Sequence, residues 1–140
     1  MLEIAVASPG FDSAIDITED IRRVLPESHH DTGMATVVVI GSTCGLSVMR
    51  YEPGAISDLL QTLDRVAPRS NLYGHQVTTG DPNGASHLKS ILIGGTVSVP
   101  VRNADLALPG EHRIVLLDFD LRAATRRIVV QVQPSIHVAN

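Results

Sequence analysis

The residues of this chain best suited to chemistry are crowded into HQVTTGDPNGASHLKS, residues 75–90. His75 and His87 frame Asp81, Asn83 and Ser86, and Lys89, the sole lysine, follows. A histidine pair can bind an oxyanion as imidazolium, hold a metal, or pass a proton near neutral pH. Spacing alone does not choose among these. Asp81-Pro82-Asn83-Gly84 is a strong turn signal, and Asp and Asn are favoured in such turns for backbone reasons without any ligand. From Asn83, a good N-cap type, the pattern predicts a helix through about Ile93, ended by Gly94-Gly95. Ser86 and His87 then fall in its first turns, where unpaired backbone N–H groups and the helix dipole favour an anion. The expectation is that residues 75–90 converge on a phosphate or sulfate pocket, because polar groups in a largely aliphatic chain need partners.

The other chemical residues carry open readings. Lys89 is either a site cation or a solvated helix residue. Thr43 is either a β-former at a strand end or a phosphate contact, and Arg50 either an exposed strand residue or a cation turned toward phosphate. Cys44 reads as a small buried hydrophobe. His29, His30 and His137 read as solvated. Arg126-Arg127 reads as the opening of a strand.

These groups need a scaffold, and the apolar spacing supplies one. Residues 2–7 and 13–17 read as two strands paired about the Pro9-Gly10 turn. Asp16, with Glu19 three positions on, predicts a capped helix up to Pro26. Residues 27–33 read as a surface loop. Residues 34–41, MATVVVIG, are a continuous β-branched run, as in a strand covered on both faces, and 45–51 alternate more openly. A helix is predicted over 55–67 between Pro53-Gly54 and Pro68. Residues 69–82 look irregular, and strands return at 96–101, 113–121 and 126–133. Strands with helices inserted and no regular βαβ alternation argue for an α+β fold on antiparallel sheets.

Composition narrows the function class. The 140 residues suit a single domain over 1–140 with one core. The net charge of −4 and the scatter of arginines among carboxylates leave no basic face for a nucleic acid. With aromatic residues at 3% and no tryptophan, stacking on bases or sugars has little to work with. The lone Cys44 excludes an internal disulfide and a Cys-rich zinc module, and fits a reducing cytoplasm. The N-terminus does not read as a signal peptide, and no run is long enough to span a membrane. Phosphate-loop, dinucleotide, zinc-protease and nucleophile-elbow motifs are all missing.

The string GDPNGASHLKSILIGGTVSVPV, followed by LAL and RIVLLDFD, resembles the YjbQ-like family, whose members are commonly described as secondary thiamine-phosphate synthases. The likeness runs from DITEDI (16–21) through VVVIGST (37–43), EPG (52–54) and the APRS region (67–70) to the last strand. Its diagnostic centre is matched by His75, His87, Lys89, Ser90 and Gly94.

The resemblance implies an α+β protein built around a β-sandwich with two or three inserted helices, assembled as a homotrimer with sites near subunit boundaries. It implies a thiamine-phosphate-synthase-like transferase that joins a pyrimidine diphosphate to a thiazole phosphate. In that chemistry His75 and His87 would stabilise or protonate the leaving diphosphate, and Thr43, Arg50, Asn83 and Ser86 would contact phosphate. Asp81 or Glu52 would help hold a hydrated divalent cation, magnesium or weakly bound zinc with Glu52, His75 and His87 as its set, and no organic cofactor is implied. Three positions depart from the pattern. Gly41 stands where many members carry a histidine, Arg50 where a Glu is usual, and Leu108-Pro109-Gly110-Glu111-His112 replaces the family's Leu-Gly-Thr-Trp-Gln turn. Loss of the third histidine motivates the alternative, a non-catalytic trimer that binds a phosphorylated metabolite, and makes tight structural zinc unexpected.

Overall fold

The computed structural model describes residues 1–135. Among these described residues, eight strands form two antiparallel sheets. The larger contains β1 (Leu2–Ser8), β8 (Ala124–Pro134), β3 (Thr32–Ile40), β5 (Thr96–Arg102) and the short β6 (Asp105–Leu106), in that order. The smaller has β7 (His112–Asp118) between β2 (Ser13–Asp16) and β4 (Cys44–Arg50). One core lies between the sheets, where Val37, Val39, Ile128 and Val130 of the larger meet Leu46, Ile114 and Leu116 of the smaller. Helix α1 (Thr18–Val24) closes it with Ile17 and Ile21.

The outer face of the smaller sheet is covered too. Leu59, Leu60 and Leu63 of α2 (Pro53–Val66) pack there with Val115, Leu117 and Phe119, and Ile93 of α4 (Gly84–Ile93) joins them. β7 is therefore the strand buried on both faces, with Ile114 to Leu117 at 0% exposure, which explains its unbroken apolar run. β3 corrects the expectation for 34–41: Ala35, Val37 and Val39 are buried, whereas Met34 and Ile40 on the opposite face are exposed. Its β-branched run reflects strand propensity on an outer face as well as core packing.

Other expectations also change. β1 and β2 do not pair; β1 pairs with β8 and β2 with β7. Gly10, Phe11 and Asp12 all take positive φ (69°, 55° and 60°), so the chain crosses from one sheet to the other instead of reversing within one. Residues 69–82 contain a further short helix, α3 (Gly74–Thr79). The loop expected at 27–33 is shorter, because a 3₁₀ turn (Leu25–Ser28) precedes it and β3 begins at Thr32. At the start of α1 the cap position falls on Ile17, one residue later than expected, with no side-chain cap; Asp16 Oδ1 accepts the Thr18 N–H at 2.9 Å, and Glu19 turns outward to Arg22 at 2.6 Å. His137 lies outside the described residues.

Three chain crossings meet at one end of the sandwich: residues 9–12, 41–43 and 119–123. They are tied together by backbone bonds, from Phe119 N–H to Thr43 O at 2.9 Å and from Phe11 N–H to Asp120 O at 2.7 Å. The N-terminal part of α4 docks on this end.

Candidate functional site

Helix α4 is held against β4 by polar bonds along its length. Ser90 Oγ donates to Cys44 O at 2.6 Å and Leu46 N–H donates to Gly94 O at 2.9 Å. Gly45 allows the approach, since a Cβ there would stand 2.6 Å from Ile93 Cγ2. Gly84 does the same for α3, where a Cβ would stand 2.6 Å from Tyr73 Cβ. Tyr73 anchors in turn through its hydroxyl, which donates to Pro68 O at 2.6 Å. These contacts fix α3 on the first turn of α4.

The consequence is a pair of imidazoles. The rings of His75 and His87 sit edge to face, with centroids 4.5 Å apart. His87 Nδ1 lies 3.0 Å from the Ser42 carbonyl oxygen, which only accepts, so Nδ1 carries the proton. In the neutral ring that leaves Nε2 as the basic nitrogen, and in the imidazolium it becomes a second donor. Beside this pair, α4 begins at Asn83 with no side-chain cap. Asn83 is 8% exposed, and its Oδ1 and the His75 Nε2 are buried polar atoms without a protein partner. Such atoms cost free energy unless another group satisfies them.

The remaining sequence-derived site residues face elsewhere. Asp81 Oδ1 accepts the Asn83 N–H at 3.3 Å and shapes the turn before α4. Ser86 is buried, donating to Phe119 O at 2.5 Å and accepting from Arg69 at 3.2 Å, so its hydroxyl is spent on packing α4 against the β7 end. Thr43 Oγ1 donates to Asp120 Oδ2 at 3.3 Å. Arg50 is the exposed strand residue of its two readings, paired with Glu111 at 2.6 Å. Glu52 caps α2, accepting from Gly54 N–H at 2.9 Å and from Ala55 N–H. Those two amides hold its carboxyl below the ordinary glutamate pKa. His112 Nδ1 is 3.1 Å from Pro109 O.

Glu52 therefore does not complete a metal set with His75 and His87. Among the described residues, no three His, Cys, Asp or Glu side chains gather in a way that could hold a metal ion. The residues present do not fit the divalent cation implied by the resemblance.

Lys89 corrects its solvated reading. Its side chain is 1% exposed, and Nζ donates to Asp12 Oδ1 at 3.2 Å and to Asp64 Oδ1 at 3.3 Å. Arg69 reaches the same Asp12 at 2.9 Å and also donates to Phe119 O at 2.8 Å. A buried ammonium is tolerable only when paired in this way, so Lys89 is a strut between α4 and the 9–12 crossing. The Cys44 thiol is buried as read, and burial, with Asp118 beside it, pushes its pKa up to about 12.

Sequence reasoning missed Asp12, Arg69 and the Asp118-Asp120-Arg126 group. Asp118 is fully buried and grips Arg126 at 2.6 and 3.0 Å, and Asp120 takes the same guanidinium at 3.0 Å. A signal was present: Asp118 and Asp120 are two residues apart within the strand expected over 113–121, and Arg126 follows after a short crossing. Asp12 and Arg69 had none, because their pairing depends on chain crossings far apart in sequence.

These features define a class, an α+β sandwich whose smaller sheet is covered by helices carrying a histidine pair at one helix start. The chain belongs to the family described as UPF0047 protein YjbQ-like, which matches residues 2–135. A UPF0047 protein of Archaeoglobus fulgidus is 35% identical over 117 residues, spanning 84% of this chain and 88% of that protein. Another from Methanothermobacter thermautotrophicus is 33% identical over 118 residues, with 84% and 80% covered. A crystal structure of a YbjQ-like protein of unknown function from Sulfolobus solfataricus P2 shares the fold, with a TM-score of 0.87 at 23% identity over 95% of both chains. An uncharacterised family member from Clostridium acetobutylicum superposes with a TM-score of 0.85 at 27% identity, covering 95% of this chain and 100% of that one. Among the described residues no helix is long and apolar enough to cross a membrane.

Proposed function

We propose that the chain binds a phosphorylated small molecule at the start of α4, with His75 and His87 as its polar contacts. The observation that carries this reading is the edge-to-face imidazole pair at 4.5 Å beside a helix start that no side chain caps. Backbone N–H groups of the first turn and the helix dipole favour an anion there, and an imidazolium adds charge-assisted donors. A protonated phosphate oxygen offers both a donor and an acceptor, which suits the unpartnered Asn83 Oδ1 and His75 Nε2. Titration of the protein with inorganic phosphate, followed by calorimetry, tests this. His75→Ala and His87→Ala should each weaken binding about ten- to hundredfold, the worth of a charge-assisted hydrogen bond, while the fold persists. Unchanged affinity in both variants would overturn it.

A second reading, a thiamine-phosphate-synthase-like transferase, is favoured by one observation. The Ser42 carbonyl sets the His87 tautomer and leaves Nε2 able to give or take a proton. Diphosphate departure would rest on the imidazoles and the helix start, since Glu52 is occupied as a cap. Incubation with the pyrimidine diphosphate, the thiazole phosphate and magnesium separates the two readings. Formation of thiamine phosphate that depends on His87 supports the transferase, and tight binding without turnover supports the binding protein alone.

The homotrimer belongs to the same proposal. Leu88, Ile91 and Leu92 share one face of α4 and are exposed, and Leu72 just before α3 and Val77 within it are exposed by more than 70%. An apolar surface of this kind next to a site suits cover by a neighbouring subunit. Light scattering at micromolar concentration should give the trimer mass, and a monomer would count against it.

A further inference from the structure

The Ser42 carbonyl that orients His87 sits on the 41–43 crossing, and Thr43 ties that crossing to residues 119–120. Thr43 O accepts the Phe119 N–H at 2.9 Å, and Thr43 Oγ1 donates to Asp120 Oδ2 at 3.3 Å. Asp120 is fixed from behind by Arg126 at 3.0 Å and by the Leu121 N–H at 2.7 Å. Arg126 is itself clamped by the fully buried Asp118. Burial works against the charge on Asp120, but Arg126, Leu121 N–H and Thr43 outweigh it and keep its pKa below the ordinary aspartate value. Asp120 is thus an ionised acceptor, and an ionised carboxylate can only accept the hydrogen bond that the Thr43 hydroxyl donates. The same segment holds α4 from the other side, since Phe119 O accepts from Ser86 Oγ at 2.5 Å and from Arg69 at 2.8 Å. Both halves of the Ser42–His87 contact, the carbonyl and the helix bearing the ring, are referenced to Phe119-Asp120.

We propose that Thr43, backed by Asp120 and Arg126, is a positioning residue for His87: it fixes the Ser42 carbonyl, and the carbonyl holds His87 in the Nδ1–H tautomer with Nε2 turned to the ligand. The functional consequence rests on the phosphate-binding reading above, whereas the tautomer itself does not. A neutral imidazole left to itself favours the Nε2–H form, so maintaining the other tautomer requires a well-placed acceptor at Nδ1.

Long-range ¹H–¹⁵N correlation of the imidazole nitrogens in the full chain reads the tautomer directly. In the unmodified protein His87 Nδ1 should resonate in the pyrrole-type range and Nε2 in the pyridine-type range. Thr43→Val removes the hydroxyl at nearly constant volume, and the Nδ1 signal should shift toward the pyridine-type range while Thr43→Ser restores it. Asp120→Ala, which removes the acceptor of the Thr43 hydroxyl, should shift it in the same direction and supplies the readout if Thr43→Val does not fold. Phosphate affinity should fall about fivefold in Thr43→Val, the effect of loosening one ordinary hydrogen bond. An unshifted His87 in either folded variant, or an Nε2–H form in the unmodified protein, overturns the proposal. Failure of phosphate to bind the unmodified protein, with the tautomer responding as expected, would remove the binding reading and leave the positioning role standing.

Discussion

The two helices on the outer face of the smaller sheet begin at opposite ends of β4, and they solve the same problem differently. Every helix start leaves backbone N–H groups without intrahelical partners. At α2 the chain supplies its own anion: Glu52 accepts from Gly54 and Ala55, with Arg50 and Glu111 paired nearby at the surface. At α4 the corresponding position is Asn83, whose side chain makes no cap and whose Oδ1 is buried without a partner. Two imidazoles stand beside it, and the Asp81 carboxylate accepts the Asn83 N–H ahead of the helix. A helix start satisfied from within has no use for an external anion, whereas one flanked by histidines and an unpartnered amide is suited to one.

The surroundings sharpen the contrast, and they carry the largest expected effect. The end of β4 near α4 is braced by the buried Asp118–Arg126 pair, and the end near α2 by the exposed Arg50–Glu111 pair. Arg126→Ala leaves the Asp118 carboxylate buried without its cation and should cost about 3–5 kcal/mol, read by urea unfolding. Arg50→Ala should cost ~0–1 kcal/mol, as for surface pairs generally. Equal costs would mean that the two ends are not braced differently.

Asn83→Asp tests the helix starts themselves by giving α4 the kind of internal anion that α2 has. Phosphate affinity should fall about tenfold, equivalent to ~1.4 kcal/mol, because a carboxylate would compete for the same donors. Unchanged phosphate affinity would place the anion elsewhere.

The smallest effect is at Glu52. Its folded pKa is lowered by the Gly54 and Ala55 amides, so the cap's contribution is fully present above the ordinary glutamate value of 4.5. It is lost as the pH falls through the lowered folded value. Glu52→Gln should flatten the acid limb of the stability profile in that window and leave phosphate affinity at neutral pH unchanged. A drop in affinity would show that the two helix starts are coupled.

Much of this was legible without coordinates. Local patterns placed α2 and α4 and most strands, because apolar spacing and Pro or Gly stops act over a few residues. The turn at Asp81 to Gly84 and the position of Asn83 at the start of α4 follow from the same local chemistry. Strand partners were not legible in this way. β1 and β2 are joined by a turn signal that fits a hairpin, and only the run of positive φ from Gly10 to Asp12 shows a crossing between sheets.

Residue types and spacing along the chain determined which groups were available for chemistry: two histidines, an amide and a helix start within one short stretch. Tertiary structure decided which of them face one another. His75 and His87 meet because Gly84 lets Tyr73 pack closely against α4. Glu52, Ser86 and Thr43 have the right chemistry for a phosphate site, but they are bonded to Ala55, Phe119 and Asp120. Lys89, with the character of a solvated cation in sequence, is buried because Asp12 arrives from a distant crossing to neutralise it. A side chain's capacity for hydrogen bonding is local and can be read from its type; its partner is set by long-range packing, where burial makes every polar group bond to whatever acceptor or donor the fold brings within reach.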